Sequence, residues 1–371
     1  MMKYYIIAGE ASGDLHGSKL IKALLGHAPN AQIRAWGGDK MQNAGAHIVK
    51  HYKNLAFMGF LEVLLNLRTI LGNLRFCKED ILEFQPDALI LIDYPGFNMR
   101  IARWAKKRGI AVHYYIMPQV WAWKENRVKA LARDTDYRYA ILPFEPNFFE
   151  NKHGLQVDFV GHPLLDALHS KENNAAHLRE QMGVTADQPL IALLPGSRKQ
   201  EIKKLLPVMQ ALQSRFPKYT FVVAATPHHS QDFYKSLAPD LPLVVGQTYA
   251  LLGNAEAALV TSGTATLETA LLKIPQVVCY KTSGLSFAIA KQVVKLAYIS
   301  LVNLIMDKEV VAEKIQNECT PDQLEVALAH ILSEQGRKQL LQDYEVLHKK
   351  LGNGGASQTV AQLIYSRTHE H

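Results

Sequence analysis

The chain has 371 residues, of which 48% are hydrophobic and 20% charged, a balance that excludes a disordered, collagen-like or low-complexity protein. At about 100–200 residues per domain, this length predicts two domains. Three cysteines lie far apart without a C-x-x-C pair, which excludes a disulfide framework or a zinc site and favours the cytoplasm. No uncharged run reaches 18 residues, so we expect no membrane-spanning helix.

The net charge of +7 is concentrated in one stretch. Residues 94–138 carry ten Lys or Arg and three acids, while the rest of the chain is balanced. Such a patch suits nucleic acid, an anionic membrane surface or phosphorylated substrates. Nucleic acid is the least favoured partner, because no recognised binding module accompanies the basic stretch.

Short β-rich runs alternate with helical stretches along the chain. The predicted strands are 4–8, 32–36, 88–92, 111–116, 138–142 and 158–160, followed by 190–194, 220–224, 243–245, 257–260 and 276–280. The predicted helices include 15–26, 58–84, 97–108, 122–133 and 356–368. This alternation predicts an α/β protein with parallel, doubly wound sheets, arranged as two Rossmann-like domains that face a cleft.

A polar stretch poor in large apolar residues marks the expected linker, 169–188. It separates a first domain, 1–168, from a second domain, 189–350. Residues 351–371 form a C-terminal helix for which a return to the first domain is one option.

The turn after the first strand is rich in glycine and contains Gly9, Ser12, Gly13 and Asp14. Its glycine spacing matches neither the dinucleotide fingerprint nor a Walker A loop. Ligands nevertheless bind at this end of the first strand in α/β folds. Glu10 and Asp14 favour contacts with sugar hydroxyls over phosphate, and an ordinary turn is the alternative.

Asp93 directly follows the predicted strand 88–92. A partly desolvated carboxylate at this position has a raised pKa, which suits a general base. The alternative is that Asp93 only caps the next helix. Farther along, Trp121 and Trp123 stand beside cations, where they can stack on sugars, hold an acyl chain or simply pack.

The triplet at 134–136 contains two acids, Asp134 and Asp136. A D-x-D motif can hold a divalent metal under a nucleotide diphosphate. Here it ends a basic helical stretch and precedes a strand, so we expect a solvated turn and no metal site.

Two turns of the second half suit phosphate groups. Arg198 follows the strand 190–194 and can form bidentate bonds to a phosphate beside a helix N-terminus. Ser262, Gly263 and Thr264 form the matching turn after 257–260, with Glu268 one helical turn later, where it can accept bonds from ribose hydroxyls. A surface arginine and a plain helix start are the alternatives.

The helical stretch 60–76 is apolar over more than one face. This pattern favours contact with a membrane interface or a homodimer partner, and a fully buried helix is the alternative. The residues expected at this surface are Leu61, Val63, Leu64, Leu67, Ile70, Leu71 and Leu74, with Arg68 and Arg75 beside them.

Several strings resemble one bacterial family in order along most of the chain. They include AGEASGDLHG at 8–17, IDYPGFN at 92–98, PQVWAWKENR at 118–127, LPFEPNFF at 142–149, LLPGSRKQEI at 193–202, SGTATLE at 262–268 and SLVNLIMDKE at 300–309. On these residues the sequence is similar to the lipid-A-disaccharide synthases, which are glycosyltransferases of GT-B architecture.

The resemblance implies transfer of a diacylglucosaminyl group from UDP-diacylglucosamine to diacylglucosamine 1-phosphate (lipid X), without metal or cofactor. It also implies a peripheral protein on the anionic cytoplasmic face of the inner membrane, with an acceptor-binding first domain and a UDP-binding second domain. We expect an inverting displacement in which Asp93, or less favourably Glu10, is the base. Arg198, Glu268 and Asn303 match positions of the UDP site, and the helix start at 262–264 would share the charge that develops on UDP.

The sequence departs from the family pattern at Gly96, Gln119 and Val302, where an acid, a serine and a proline are usual. Gly96 leaves Asp93 without a second carboxylate, and Val302 changes the backbone that presents Asn303. Three alternatives stay open: a UDP-sugar epimerase, a transferase with a soluble acceptor, and a non-enzymatic nucleotide-binding membrane scaffold.

Overall fold

The structure is a computed structural model of the full chain. It describes residues 1–55, 67–122, 125–168, 178–180, 182, 184–185, 187–284, 287 and 296–369. The chain divides into two compact units, one formed by Met1–His169 together with Leu351–His371 and the other by Ser170–Lys350.

The first unit is built on a parallel sheet, which among the described residues has the strand order β3-β2-β1-β4-β5-β6-β7. The strands are β1 (Lys3–Ala8), β2 (Gln32–Gly37), β3 (His47–His51), β4 (Ala88–Ile92), β5 (Ala111–Tyr115), β6 (Tyr137–Ala140) and β7 (Asp158–Phe159). The helices between them are α1 (Ala11–His27), α2 (Asp39–Asn43), α3 (Leu67–Phe84), α4 (Pro95–Lys106), α5 (Val128–Asp134) and α6 (Pro163–Leu168). The direction of winding reverses between β1 and β4.

The second unit repeats this design with the strand order β10-β9-β8-β11-β12-β13. Its strands are β8 (Leu190–Leu194), β9 (Thr220–Ala225), β10 (Leu243–Val245), β11 (Ala255–Thr261), β12 (Gln276–Tyr280) and β13 (Glu313–Ile315). Its helices are α7 (Lys199–Gln210), α8 (Gln231–Lys235), α9 (Thr248–Leu252), α10 (Thr264–Leu271), α11 (Leu301–Met306), α12 (Pro321–Leu332) and α13 (Glu334–Leu351). The winding of this sheet reverses between β8 and β11.

The central strands are apolar along their whole length because helices cover both faces of each sheet. Every residue of β4 and of β8 is buried. Leu178, which lies inside the stretch 169–188, is also fully buried in the core of the second unit. The two parallel sheets confirm the predicted α/β fold with two Rossmann-like domains.

The last helix, α14 (Ala356–His369), belongs to the first unit. Val360, Ala361 and Ile364 are buried in the same core cluster as residues of α1 and β1. Asp166 holds the start of α14, because its carboxylate accepts the backbone N–H groups of Gly355 at 2.6 Å and Ser357 at 3.0 Å.

Helix α3 is fastened to the first sheet by a buried carboxylate. Asp80 accepts the hydroxyl of Tyr5 at 2.5 Å and pairs with the guanidinium of Arg34. Trp36 in turn donates its indole N–H to the Tyr5 oxygen at 2.9 Å. Among the helices in the described part of the chain, none has both the length and the apolar character to cross a bilayer.

Candidate functional site

Glu10 and Asp93 follow the two strands between which the winding of the first sheet reverses. β1 and β4 are paired up to Ala8 and Ile92, so the two turns leave the same edge side by side. A reversal point of this kind is where open α/β sheets bind ligands. The structure therefore brings together the two carboxylates that the sequence proposed as bases.

Asp93 is held in an unusual backbone conformation. Its φ is +46° and that of Tyr94 is +50°, so two consecutive residues lie in the left-handed region. Asn98 supports this turn by donating its amide to the carbonyl oxygens of Ile92 at 3.2 Å and Asp93 at 2.7 Å. Tyr114 donates its hydroxyl to the Asp93 carbonyl oxygen at 2.8 Å.

Gly9 is required by the same turn. A Cβ on Gly9 would lie 2.4 Å from ring atoms of Tyr94, so the ring rests directly on the glycine backbone. Any side chain at position 9 would push away Tyr94 and with it Asp93. Sequence reasoning missed Tyr94, Asn98 and Tyr114 as supports of the site, although the first two lie in the string 92–98.

The pKa of Asp93 is raised to about 6, mainly by burial and then by the nearby charge of Glu10, while the N–H of Tyr94 acts in the opposite direction. Glu10 itself is exposed. A carboxylate with such a pKa is unprotonated near neutral pH yet still basic enough to accept a proton. This arrangement suits a general base with Asp93 as the proton acceptor.

Asp14 has a structural role that differs from the expected contact with sugar hydroxyls. Its buried carboxylate accepts the backbone N–H groups of Gly38 at 2.8 Å, Lys40 at 3.2 Å and Met41 at 3.0 Å. It therefore fixes the start of α2. Gly13 lies against β1, where an added Cβ would meet the Ala8 Cβ at 3.0 Å, and Ser12 is exposed.

Arg198 lies at the reversal point of the second sheet, in the turn between β8 and α7. Its side chain is exposed and pairs with Glu201 at 2.8 Å. Gly196 enables the turn, because its φ is +107° and a Cβ there would lie 2.8 Å from a Glu201 carboxylate oxygen. An exposed guanidinium beside a helix N-terminus can bind an anion.

The turn from Ser262 to Thr264 lies at the same edge, since β11 pairs with β8 up to Val260 and Leu194. Ser262 donates its hydroxyl to the carbonyl oxygen of Ile299 at 2.9 Å, whereas Gly263 and Thr264 are exposed. A Cβ on Gly263 would meet no atom of the described residues within 4 Å. The structure thus brings Arg198 and this helix start to one edge.

Glu268 lies on α10 and is half-buried. It forms a hydrogen bond with the hydroxyl of Tyr249, whose pKa is raised mainly by burial and then by the charge of Glu268. The position one turn into α10 keeps this carboxylate near the helix start, and Tyr249 restricts its orientation.

Asn303 is fully buried and hydrogen-bonded within the protein. Its amide nitrogen donates to the Val311 carbonyl oxygen at 2.8 Å and to Glu313 at 2.9 Å, and its oxygen accepts the backbone N–H groups of Val310 and Val311. These bonds hold the segment after α11 in place. They also engage the side-chain nitrogen and oxygen of Asn303, the groups that were expected to face UDP.

The apolar surface expected along 60–76 is described only in part. Leu61, Val63 and Leu64 lie outside the described residues, and for Leu67 only its place in α3 is described. Leu71 is 60% exposed, and Arg68 and Arg75 are also exposed. Leu74 instead packs in the core with Ile70 against it, because these two side chains point toward the sheet.

The acids at 134–136 are engaged in ion pairs. Asp134 is buried rather than solvated and accepts two hydrogen bonds at 2.6 Å from Arg133, while Asp136 pairs with Lys106. Among the described residues, no group of three His, Cys, Asp or Glu side chains is placed to hold a metal ion.

Glu145 was missed by sequence reasoning, although it lies in the string 142–149. It is buried and accepts the indole N–H of Trp121 at 3.2 Å. Trp123, the other tryptophan of that motif, lies outside the described residues.

Known structures share this two-unit fold. A UDP-GlcNAc 2-epimerase from Neisseria meningitidis bound to UDP-GlcNAc has a TM-score of 0.72 at 13% identity, covering 98% of this chain and 100% of that chain. The epimerase from Methanocaldococcus jannaschii in complex with UDP-GlcNAc and UDP has a TM-score of 0.65 at 14% identity, with coverage of 98% and 100%. At these identities the likeness concerns the fold, which is GT-B.

Sequence comparison extends the likeness to a family. The family model described as lipid-A-disaccharide synthetase matches residues 4–365. The lipid-A-disaccharide synthase of Syntrophus aciditrophicus (strain SB) is 38% identical over 368 residues, which cover 96% of each chain. That of Psychromonas ingrahamii is 39% identical over 375 residues, which cover 98% of each chain. The chain therefore belongs to the lipid-A-disaccharide synthase family, and it is a hexosyltransferase of lipid A biosynthesis.

Proposed function

We propose that the protein transfers a diacylglucosaminyl group from UDP-diacylglucosamine to lipid X with inversion at the anomeric carbon, releasing UDP. Membership of the family over nearly the whole chain supports this reaction. One structural observation carries the assignment of roles: the candidate base and the candidate phosphate-binding groups occupy the reversal points of the two sheets.

Asp93 is the general base that activates the acceptor. Its carboxylate takes the proton from the primary hydroxyl of lipid X as the oxygen attacks the anomeric carbon and the bond to UDP breaks. A pKa of about 6, raised by burial, leaves Asp93 ionised at neutral pH. Glu10 contributes its charge at the same edge and is the second candidate for this role.

The second unit binds the UDP group. Arg198 and the exposed start of α10 at Gly263 and Thr264 neutralise the charge that develops on the diphosphate. Glu268, oriented by Tyr249, accepts hydrogen bonds from the ribose. The buried Asn303 supports the adjacent segment 300–313 and acts through it rather than by direct contact. The UDP ligands named for two structural neighbours support this assignment.

The first unit lies on the cytoplasmic face of the inner membrane. α3 exposes Leu71 and Phe76 and packs beside α4, which exposes Arg100 and Arg103. Apolar side chains next to cations suit an interface with anionic lipid. This surface would bring the acylated substrates to the sheet edge that carries Asp93.

The reaction is tested by supplying UDP-diacylglucosamine and lipid X and by measuring UDP and disaccharide. We expect both products in equal amounts from the wild type. Asp93→Asn should lower turnover by at least about 100-fold, because a positioned base contributes a factor of this size, and it should leave UDP binding unchanged. Asp232→Asn, an exposed change at the start of α8, is the matched control.

Near-normal activity of Asp93→Asn would contradict the role of Asp93 as base. Absence of disaccharide from the wild type, together with release of an epimerised sugar, would favour a UDP-sugar epimerase instead. The fold shared with two such epimerases makes this the second candidate.

A further inference from the structure

A buried carboxylate joins two loops at the sheet edge that carries Asp93. Glu145 is 1% exposed, and one of its oxygens accepts the backbone N–H groups of Ile141 and Leu142, both at 2.9 Å. Its other oxygen accepts the indole N–H of Trp121 at 3.2 Å. Glu145 therefore connects the loop after β6 with the loop after β5.

These bonds do more than complete a turn. Burial raises the pKa of Glu145 to about 7 although its three N–H donors oppose that change, so the carboxylate is costly to bury. The backbone N–H groups of the turn engage only one of its oxygens. The second oxygen is used to orient the indole of Trp121.

The indole is fixed on a second side. Its ring meets that of Phe144 edge to face, with centroids 4.8 Å apart and planes at 88°. Met117 and Val120, in the same loop, are buried in the core and anchor the loop from below. Trp121 is thus a rigid aromatic side chain that remains half-buried.

The loop that carries this ring begins at the sheet edge that carries Asp93. β5 pairs with β4, and the Asp93 N–H donates to the Tyr115 carbonyl oxygen at 3.1 Å. The loop that carries Trp121 starts at the next residue, Ile116, whose φ of +59° turns the chain away from the strand. The loop therefore begins beside the turn of the candidate base.

The exposed part of Trp121 is apolar, because its only polar atom points inward to Glu145. A flat apolar surface suits the C–H face of a pyranose ring. We infer that Trp121 is the stacking platform for the glucosamine ring of the acceptor, and that Glu145 is the positioning residue that holds the platform in place. This inference rests on the proposed function, which supplies the acceptor.

Kinetics of the full-length protein with lipid X in detergent micelles test the platform. Trp121→Ala should raise the KM for lipid X by about tenfold, the ratio expected for one aromatic contact, and leave the KM for the UDP-sugar unchanged. Trp104→Phe, in α4, is the control and should change neither value. Equal increases in both KM values would indicate general damage and overturn the inference.

A double-mutant cycle tests the positioning role. Glu145→Gln should raise the KM for lipid X severalfold in the wild-type background. In Trp121→Phe the indole N–H is gone, so adding Glu145→Gln should have no further effect. An effect that persists in Trp121→Phe would show that Glu145 acts through the fold alone, and would overturn its role.

Binding separates this inference from the proposed reaction. Equilibrium binding of lipid X and of glucosamine 1-phosphate is measured on Asp93→Asn with and without Trp121→Ala. We expect Trp121→Ala to weaken both ligands even if the wild type forms no disaccharide. If only lipid X is weakened, the ring holds an acyl chain and the stacking inference is wrong.

Discussion

Asp93 and Tyr94 occupy conformations that residues with side chains adopt at a cost of about 1–3 kcal/mol each. Such strain persists only where the surroundings enforce it. Here Asn98 and Tyr114 enforce it, because the Asn98 amide and the Tyr114 hydroxyl both donate hydrogen bonds to the Asp93 carbonyl oxygen. The strained turn presents the Asp93 carboxylate at the sheet edge instead of letting it cap α4.

The pH dependence of the reaction follows from the ionisation of Asp93. Because the ionised carboxylate is the active form and its pKa is raised to about 6, we expect kcat/KM to rise with pH through about 6 and then level off. Glu10→Gln removes a charge that raises this pKa, so the acidic limb should move to lower pH. Initial rates across a pH series measure both effects.

If the acidic limb of the pH profile stays at the same pH or moves to higher pH in Glu10→Gln, the electrostatic coupling of the two carboxylates is contradicted. Asp232→Asn serves again as the control, since its exposed carboxylate lies in the second unit.

A side chain at position 9 should disrupt the site. In Gly9→Ala the new Cβ would overlap the Tyr94 ring, so we expect a loss of about 1–3 kcal/mol of stability and a large fall in turnover. Adding Tyr94→Ala should restore the stability but not the turnover. Gly72→Ala in α3, where an added Cβ meets no described atom within 4 Å, is the control. Urea unfolding and product formation give the two measurements.

Candidate site residues were predictable where they follow a buried strand. Asp93 and Arg198 each follow an apolar run that the sequence shows directly. The roles of Asp14, Leu74 and Asn303 were not predictable, because each depends on partners distant in sequence or on which face of a helix meets the core. Asp14, for example, caps a helix that starts 25 residues later.

At the scale of elements, a buried carboxylate anchors α3 to the first sheet. Asp80 connects the helix to β1 through Tyr5 and to β2 through Arg34. The same helix carries the exposed Leu71, so the anchor holds an apolar surface in a fixed position.

Removing the anchor should destabilise the first unit. Asp80→Ala leaves the Tyr5 hydroxyl and the Arg34 guanidinium without their acceptor, and breaking a buried pair in this way costs about 3–5 kcal/mol. Glu79→Ala, which removes an exposed pair with Arg75 on the same helix, should cost less than about 1 kcal/mol. Urea unfolding monitored by circular dichroism measures the free energy of unfolding of both variants. Equal losses of stability would contradict the role of Asp80 as the anchor of α3.

The fold was predictable for central strands and less so for edge strands. The strand 88–92 was predicted with its observed bounds, because it is buried on both faces and uniformly apolar. β3 and β13 were missed, since they are short edge strands of half-buried or exposed residues without an apolar run. The helix predicted at 122–133 was also too long, because the chain there forms a short turn at Glu125–Arg127 before α5.

At the scale of the whole molecule, a surplus of positive charge lies in residues 94–138, which belong to the first unit. α4 exposes Arg100, Arg103 and Lys106, is followed directly by the exposed Lys107, and packs beside α3. Electrostatic attraction to anionic lipid contributes about 1 kcal/mol for each such cation near the surface. These cations therefore lie on the helix beside the one that exposes Leu71.

Reversing this charge should weaken membrane binding. The double variant Arg100→Glu and Arg103→Glu should bind vesicles of anionic phospholipid at least tenfold more weakly, and added salt should reduce the difference. Lys338→Glu with Lys349→Glu changes the net charge equally on α13 of the second unit and should bind like the wild type. Vesicle sedimentation measures the binding of both double variants. If both lose the same amount of binding, net charge alone accounts for the attraction to the vesicles.

The return of α14 to the first unit has a consequence for folding during synthesis on the ribosome. Val360, Ala361 and Ile364 complete a core that also contains residues of α1, which is synthesised long before α14. The part of α1 that α14 covers therefore stays exposed until α14 has emerged. The second unit, Ser170–Lys350, is synthesised entirely within that interval and can fold first. Deletion of α14 would thus leave the core of the first unit incomplete.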